Sequence, residues 1–367
     1  MRRLALTDFR NYEVLRLELG PQPAVLTGAN GAGKTNLLEA LSYLAPGRGL
    51  RGAGLEAVIR VGADAFAVAA TVERGEAAFD IGTGFRRGES GRAVRIDRQP
   101  ARSVAALGEI VRVLWLTPAM DGLFTGSASD RRRFLDRLVL TLDPGHAARV
   151  AEFEKLMRQR NRLLEEARPD PRWLDAVEHE LAGPAVAVAA ARAEAVARLS
   201  AVLSSRAGGV FPDPSLELVG TLEAELRAMP AVDVEEGYRR ALCEGRHRDA
   251  AAGRTLLGPH RSDLSVIHAN RNVPAAIAST GEQKGLLIAL VIAHARIVAG
   301  SDDGFAPILL LDEVAAHLDD IRRAALFAEI LALGAQAWMT GTDRALFADI
   351  GNDAQCLEVA DRSVSPL

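Results

Sequence analysis

Gly28-Ala29-Asn30-Gly31-Ala32-Gly33-Lys34-Thr35 is the stretch that decides the fold, because it matches the pattern G-x-x-x-x-G-K-[ST] at every fixed position. A short apolar run, Ala24 to Leu26, leads into it, and apolar residues recur at helical spacing after it until Pro46. Strand, loop and helix in this order are the context that a phosphate-binding loop requires. In such a loop the backbone N–H groups turn toward the phosphates, Lys34 brings positive charge to the β- and γ-phosphates, and the Thr35 hydroxyl binds Mg²⁺. The sequence therefore predicts that these eight residues bind ATP and Mg²⁺.

A second segment, Ile308-Leu309-Leu310-Leu311-Asp312-Glu313, supplies acidic residues for the same chemistry. Four apolar residues in a row are typical of a strand buried on both faces of a parallel sheet. A carboxylate at the exposed end of such a strand can hold Mg²⁺, and we assign that role to Asp312. Phosphoryl transfer needs a positioned water and a nearby proton acceptor, so Glu313 and Lys34 are the predicted catalytic residues. Without the phosphate loop, the acidic pair would also fit a helix cap.

The segment Ser279-Thr280-Gly281-Glu282-Gln283-Lys284 opens a long apolar helix. Small residues at a helix N-terminus leave N–H groups free, and these groups attract anions together with the helix dipole. An ordinary N-cap by Ser279 or Thr280, with Glu282 in the first turn, is the alternative interpretation.

Composition limits the class of protein. The chain has 367 residues, 49% of them hydrophobic, which is enough for a buried core and for more than one domain. Its net charge of −4 excludes a global polycation, so a nucleic-acid partner would have to meet a local basic patch. Cys243 and Cys356 lack metal-type spacing, and no stretch is typical of a signal peptide or a membrane span. We therefore expect a cytoplasmic protein with no membrane partner.

Sequence patterns divide the chain into three parts. The first 120 residues and those from about 255 onward contain short apolar runs typical of strands. Between them, residues 129–142, 145–167 and 173–207 are charged or alanine-rich helical stretches, the last interrupted at Gly183-Pro184. We predict one lobe from residues 1–120 plus 255–367, built around a mixed sheet, and a mostly helical second lobe from residues 121–254.

The phosphate loop, the serine-glycine helix start and the acidic strand end, in this order, resemble the ABC ATPase superfamily. The helices inserted between Lys34 and Asp312 are similar to the SMC-like branch of that superfamily. Longer segments resemble the RecF family of bacterial recombination mediators of single-strand gap repair, and the resemblance covers nearly the whole chain. These segments are Asp8 to Tyr12, Gly47 to Arg51, Ser127 to Asp136, Leu257 to Leu264 and Ser279 to Lys284. The resemblance implies an α/β fold, a two-lobed ABC/SMC-like P-loop ATPase head with an inserted helical lobe.

The resemblance also implies nucleotide contacts outside the phosphate loop. Within one subunit these are Arg10, Asn11, Asn36 and Arg51, with Arg48 as the alternative to Arg51. Across an ATP-joined dimer they are Ser279, Gly281 and Gln283 at the helix start, and Asp319 in the segment His317-Leu318-Asp319. Where transporter ATPases usually place a switch histidine, this chain has Thr340 and Thr342, and we assign the weaker γ-phosphate sensor to Thr342.

The function that the resemblance implies is an ATP-gated DNA clamp. ATP would join two copies of the chain on gapped or duplex DNA, weak ATP hydrolysis would release them, and RecR and RecO would be partners in loading a recombinase. A motor subunit of an ABC transporter and an SMC-like nuclease are the alternatives. The long helical insertion and the missing histidine argue against the transporter, and the sequence has no further cluster of carboxylates and histidines with the spacing of a nuclease site.

Two basic segments have open roles. Arg131-Arg132-Arg133 is a compact positive run that could bind DNA phosphates, but the flanking Asp130 and Asp136 also fit a helix surface or a set of salt bridges between subunits. His260-Arg261 could contact a ligand, and we favour the alternative that it braces the turn fixed by Pro259.

Overall fold

The computed structural model describes residues 1–166, 168–206, 208–301 and 305–367. Strands dominate both ends of the chain, and the longest helices lie in its middle. The strands are β1 (Arg3–Phe9), β2 (Tyr12–Glu18), β3 (Ala24–Thr27), β4 (Ala65–Arg74), β5 (Ala77–Arg86), β6 (Ala93–Ile96), β7 (Gln99–Pro100), β8 (Val113–Leu116), β9 (Pro214–Val219), β10 (Asp263–His268), β11 (Val273–Pro274), β12 (Ile308–Leu311), β13 (Ala337–Gly341), β14 (Gln355–Ala360) and β15 (Ser363–Pro366). The helices are α1 (Lys34–Ser42), α2 (Leu55–Val58), α3 (Ala128–Leu142), α4 (His146–Leu164), α5 (Pro171–Ser204), α6 (Thr221–Glu225), α7 (Ala231–Ala252), α8 (Thr280–Ala299) and α9 (Asp320–Ala332). Within the described ranges, no helix is both long and apolar enough to cross a membrane.

The phosphate loop follows an inner strand of a sheet with the order β15-β14-β3-β13-β12-β8. β3 runs parallel to β14 and β13, and β12 runs parallel to β13 and β8. Every residue of β3, β8 and β12 is buried, as is usual for parallel strands covered on both faces. Because parallel strands end at the same edge, the residues after Thr27, Leu311 and Met339 come together there. The predicted buried strand before Asp312 is confirmed, and so is the α/β fold.

An antiparallel sheet formed by the N-terminal strands holds a second loop against the phosphate loop. Its strand order is β2-β1-β4-β5-β6-β7. Leu4, Leu6 and Phe9 of β1 are buried, and they share one core with Leu26 of β3 and Leu37 of α1. The turn from β1 to β2 contains Arg10 and Asn11, and the Asn11 side-chain amide donates to the carbonyl of Ala32 at 3.3 Å. The two sheets thus bring residues 10 and 11 next to the loop.

The helical stretches of the middle of the chain form a core of their own. α4 and α5 pack against each other, in line with the predicted helix pair. α5 continues through Gly183-Pro184, so the predicted interruption is wrong. A proline inside a helix costs about 3 kcal/mol, but Leu181, Ala185 and Ala189 are completely buried around it, and this packing keeps the helix continuous. The predicted helix ends at Ala167 and Ala207 lie outside the described residues.

The chain divides into two compact units, which assign Arg206–Asp213 and residues 255–278 differently from the predicted lobes. The first unit comprises Met1–Asp121, Arg206–Asp213 and Ser279–Leu367, and the second comprises Gly122–Ser205 and Pro214–Ala278. The second unit continues beyond residue 255 because β10 pairs with β9 in a small sheet with the order β11-β10-β9. The strand pattern after residue 255 therefore belongs in part to the second unit, which combines helices with a sheet.

Candidate nucleotide-binding site

Two glycines of the phosphate loop are required by the packing of this chain. Gly28 has a φ of +150°, and a Cβ there would lie 2.2 Å from the carbonyl oxygen of Val359. Gly33 has a φ of +119°, and its Cβ would lie 2.6 Å from Asn11 Nδ2 and 2.7 Å from the Tyr12 hydroxyl. Only glycine combines these backbone angles with such close approach. Gly31 also has a positive φ but faces open space.

Lys34 points into the loop that precedes it. Its ammonium group donates to the carbonyls of Gly28 at 2.7 Å and Ala29 at 3.0 Å. Burial lowers the pKa of Lys34, and the carboxylates of Glu313 and Asp312 oppose this effect. The lysine charge is therefore placed between the loop and the acidic residues, where the β- and γ-phosphates of a nucleotide would need it.

Thr35 and Asp312 meet as the sequence predicts. The Thr35 hydroxyl donates to Asp312 Oδ1 at 3.0 Å, and Asp312 is buried at the end of β12. A hydroxyl beside a carboxylate offers the oxygen ligands that Mg²⁺ prefers. The geometry fits the predicted magnesium pair.

Glu313 adopts a backbone conformation that is uncommon outside glycine. Its φ is +53°, which costs a residue with a side chain roughly 1–2 kcal/mol. Its backbone N–H donates to the Thr340 hydroxyl at 2.8 Å, and the same hydroxyl donates to Asp312 Oδ1 at 2.8 Å. Thr340 therefore holds both acidic residues in place.

The two threonines that follow the last inner strand differ in position. Thr340 is buried within β13 and bound to Asp312 and Glu313, whereas Thr342 lies exposed just beyond the strand. Thr342, which was preferred from the sequence, thus lies outside the hydrogen-bonded group of Thr340, Asp312 and Glu313. The sensor role of Thr342 stays a prediction, and the two hydrogen bonds make Thr340 a support of Asp312 and Glu313.

A buried carboxylate that the sequence prediction missed binds both arginines of this region. Arg10 donates to Glu39 through Nε and Nη2, each at 2.8 Å, and Arg51 donates to Glu39 Oε2 at 2.7 Å. Glu39 is completely buried on α1. The one sequence signal for it is a glutamate between the apolar residues Leu38 and Ala40 of an otherwise apolar helix face. Arg48, the alternative to Arg51, is exposed.

The start of α8 shows the N-cap that its sequence allowed, and its contact with a nucleotide stays a prediction. Ser279 caps the helix, with its hydroxyl accepting from the Glu282 N–H and its own N–H donating to the Glu282 carboxylate. Gln283 is buried, whereas Ser279 and Gly281 are exposed. A Cβ on Gly281 would meet only Arg322, at an ordinary contact distance of 3.7 Å. The described residues of its own unit thus leave room for a side chain at this position.

Asp319 lies near the same surface of the first unit. It caps α9 by accepting from the Arg322 N–H at 2.9 Å, and its side chain remains 58% exposed. Arg322 thus neighbours both Asp319 and Gly281. The two segments predicted to face a second copy are close together in this unit.

The arginine run that was a DNA candidate is largely engaged inside the second unit. Arg131 binds Asp263 through two hydrogen bonds of 2.7 and 2.8 Å, and Arg132 donates to the carbonyl of Ser262 at 2.6 Å. Burial lowers the pKa of Arg132. Arg133 alone of the three is well exposed, and it pairs with Asp130. Arg131 is thus held by an ion pair and Arg132 by a backbone carbonyl of the same chain, and the DNA role of the run stays a prediction.

His260 braces its turn, as favoured from the sequence. Its Nε2 lies 2.9 Å from the carbonyl oxygen of Thr255, and its ring packs against Phe153. Burial lowers its pKa. Arg261 next to it is exposed.

Comparison with known proteins extends along the whole chain. The family model of the RecF/RecN/SMC N-terminal domain matches residues 1–359. The DNA replication and repair protein RecF of Rhizobium meliloti is 56% identical, over 99% of this chain and 98% of its own length. The solved structure of the recombination mediator protein RecF-ATPrS in the RecFOR pathway has a TM-score of 0.87 at 22% identity, over 100% of this chain and 97% of that chain. An Smc head domain from Pyrococcus furiosus matches with a TM-score of 0.55 at 14% identity, over 100% of this chain and 95% of that chain. The last two matches establish the fold.

Proposed function

Because the chain belongs to the RecF family of DNA replication and repair proteins, within the RecF/RecN/SMC ATPases, we propose that it is an ATP-gated DNA-binding switch. The observation that carries this proposal is the acidic group around Thr340, which joins Asp312 and Glu313 to the phosphate loop through Thr35. The transporter and nuclease alternatives are not favoured, since the full-length relatives are DNA replication and repair proteins.

Hydrolysis follows from the roles that these residues can take. Thr35 and Asp312 would hold Mg²⁺, whose charge would offset that of the phosphates, and Lys34 would add its own positive charge there. Glu313, fixed by Thr340, accepts a proton from the attacking water. The site thus supports slow ATP hydrolysis, and hydrolysis ends the ATP-bound state of the protein.

Gly281 supports the proposal that two copies share each nucleotide. Its exposed position has room for a side chain, and the cap residues Ser279 and Asp319 are exposed beside it. In the proposed dimer Ser279 and Gly281 meet the γ-phosphate bound by the loop of the other copy, and Asp319 lies in the segment that crosses the interface. Bound ATP then holds the two subunits together, and its hydrolysis lets them separate.

The proposed substrate of the switch is gapped or duplex DNA, and the proposed partners are RecR and RecO. One structural relative is a recombination mediator of the RecFOR pathway, which supports this assignment. Of the arginine run, Arg133 remains as a contact for DNA phosphates. The cytoplasmic location stays a prediction.

Binding to gapped, duplex and single-stranded DNA tests the proposal, with and without ATP and Mg²⁺. We expect ATP to strengthen binding of the wild-type protein and to have no effect on Lys34→Met, which lacks the charge for the phosphates. Equal binding by both proteins at all nucleotide concentrations would contradict the link between nucleotide and DNA. Cleavage of the DNA, or recovery of the protein with membranes, would favour the nuclease or the transporter instead.

A further inference from the structure

The arginines beside the phosphate loop are bound to a single buried carboxylate, and we infer that Glu39 is a positioning residue for nucleotide binding. This inference rests on the proposed function, because it takes Arg10 and Arg51 to be nucleotide contacts. Glu39 itself is completely buried on α1, so it cannot contact the nucleotide directly.

The Glu39 carboxylate binds two arginine side chains in defined orientations. Arg10 approaches as a fork, with Nε on Oε2 and Nη2 on Oε1, both at 2.8 Å, and its Nη1 donates to the carbonyl of Ala57 at 2.8 Å. Arg51 shares Oε2 at 2.7 Å. Forked guanidinium–carboxylate pairs fix direction as well as distance. Each arginine is therefore held in one orientation by the same anion.

The charge count of this cluster leaves it able to attract an anion. Arg10 and Arg51 carry two positive charges and Glu39 carries one negative charge. Without the carboxylate, two guanidinium groups this close would repel each other and move apart. With it, one net positive charge remains, on side chains that are 22% and 39% exposed. A polyphosphate would supply the missing negative charge.

Hydrogen bonds connect this cluster to the phosphate loop. Arg51 Nη1 also donates to Asn36 Oδ1 at 2.8 Å, and Asn36 Nδ2 donates to Asn11 Oδ1 at 2.7 Å. Asn11 Nδ2 then donates to the carbonyl of Ala32 in the loop at 3.3 Å. Glu39 is thus the buried end of a chain of side chains that reaches the loop backbone. Loss of its charge should release the arginines and loosen that chain.

A purely structural role is the competing explanation, and the second unit provides its control. Glu178 is 1% exposed and also binds two arginines, with Arg160 Nε at 2.8 Å and Arg246 Nε at 3.1 Å. It belongs to the other unit and lies outside the nucleotide site. Glu39→Gln and Glu178→Gln are therefore matched losses of one buried charge.

The test measures the Kd of a fluorescent ATP analogue and the thermal unfolding of the full-length variants. Both glutamine variants should unfold at lower temperature than the wild type. Glu39→Gln should also raise the Kd about tenfold, as expected for misplaced charge-assisted contacts, while Glu178→Gln leaves it unchanged. A wild-type Kd for Glu39→Gln, or an equal rise for Glu178→Gln, would overturn the inference.

Arginine variants separate this inference from the proposed function. Arg51→Lys keeps the charge but cannot bridge Glu39 and Asn36, so its Kd should rise. If Arg51→Lys and Arg10→Lys both bind like the wild type, the nucleotide role of the arginines is wrong, and the inference falls with it. If they bind weakly and Glu39→Gln does not, the inference alone is wrong.

A double variant tests whether Glu39 acts through Arg51. The Kd of Glu39→Gln with Arg51→Lys should be close to that of the weaker single variant, because the two changes break one interaction. Effects that multiply would contradict this coupling. If Glu39→Gln does not fold, Glu39→Asp keeps the buried charge on a shorter side chain that cannot reach both arginines, and it should raise the Kd about threefold. A wild-type Kd for folded Glu39→Asp would then overturn the inference.

Discussion

Replacing Thr340 by valine removes a single hydroxyl that serves both acidic residues of the site. Valine has nearly the same shape, so the packing of β13 changes little. The hydroxyl donates to Asp312 at 2.8 Å and accepts from the Glu313 N–H at 2.8 Å, and Thr340 is 1% exposed. The substitution therefore isolates the hydrogen bonds from the packing.

The size of the effect follows from those two bonds. A hydrogen bond to a charged group contributes about 1.5–3 kcal/mol, and a buried N–H without a partner costs about 1–3 kcal/mol. Because Glu313 is only partly buried, we expect a loss of about 2–4 kcal/mol in the free energy of unfolding of the first unit. Glu313 also loses the bond that supports its φ of +53°. Its carboxylate should move, and a displacement of about 1 Å can reduce kcat roughly a hundredfold.

Steady-state ATP hydrolysis and nucleotide titration distinguish the possible outcomes. We expect Thr340→Val to lower kcat by about ten- to a hundredfold and to change the nucleotide Kd little, since Lys34 and the loop are untouched. Thr340→Ser retains the hydroxyl and should keep most of the activity. A wild-type kcat for Thr340→Val, or a larger loss in Thr342→Val, would refute the reasoning and favour the exposed threonine as the residue that matters.

Other predictions follow from single contacts. Gly33→Ala should abolish nucleotide binding because its Cβ meets Asn11 and Tyr12, whereas Gly31→Ala faces open space and should cost only about 1 kcal/mol of backbone strain; equal effects in a nucleotide titration would contradict this. Arg131→Ala should lower the unfolding temperature and leave the salt dependence of DNA binding unchanged, while Arg133→Ala should flatten that dependence without loss of stability; the reverse pattern would restore Arg131 as the DNA contact. Burial lowers the pKa of His260 in the folded state, so its contribution to stability is complete above the unfolded pKa of about 6.5 and is lost as the pH falls through that value toward the folded pKa. Unfolding temperatures from pH 7.5 to 5 should therefore fall less in His260→Gln than in the wild type, and parallel curves would show that another group is responsible.

The parts of the site that could be predicted from the sequence are those that each lie in a short run of consecutive residues. The phosphate loop, the strand before Asp312 and the cap at Ser279 each depend on a short pattern with a direct physical cause. The meeting of the phosphate loop and Asp312 was predictable because the parallel strands before them end at the same edge of a sheet.

The parts that were missed depend on contacts between distant residues. Glu39 reads as an ordinary helix residue until Arg10 and Arg51 are seen to bind it. Thr340 and Thr342 look equivalent in the sequence, and only the end of β13 separates the buried one from the exposed one. The arginine run appeared suitable for DNA because its partner Asp263 lies far along the chain, on a strand that local pattern assigned to the other lobe. The roles of these residues depend on their burial and on partners that are distant in the sequence, and neither can be inferred from a local pattern.

Sedimentation velocity of the Glu313→Gln variant tests the central claim most directly, because this variant can bind ATP but should hydrolyse it very slowly. We predict that it sediments as a monomer without nucleotide and as a dimer with saturating ATP and Mg²⁺, and that adding Gly281→Trp returns it to a monomer by filling the exposed space at the start of α8. A Glu313→Gln protein that stays monomeric while ATP is bound would contradict the ATP-joined dimer and the DNA switch built on it.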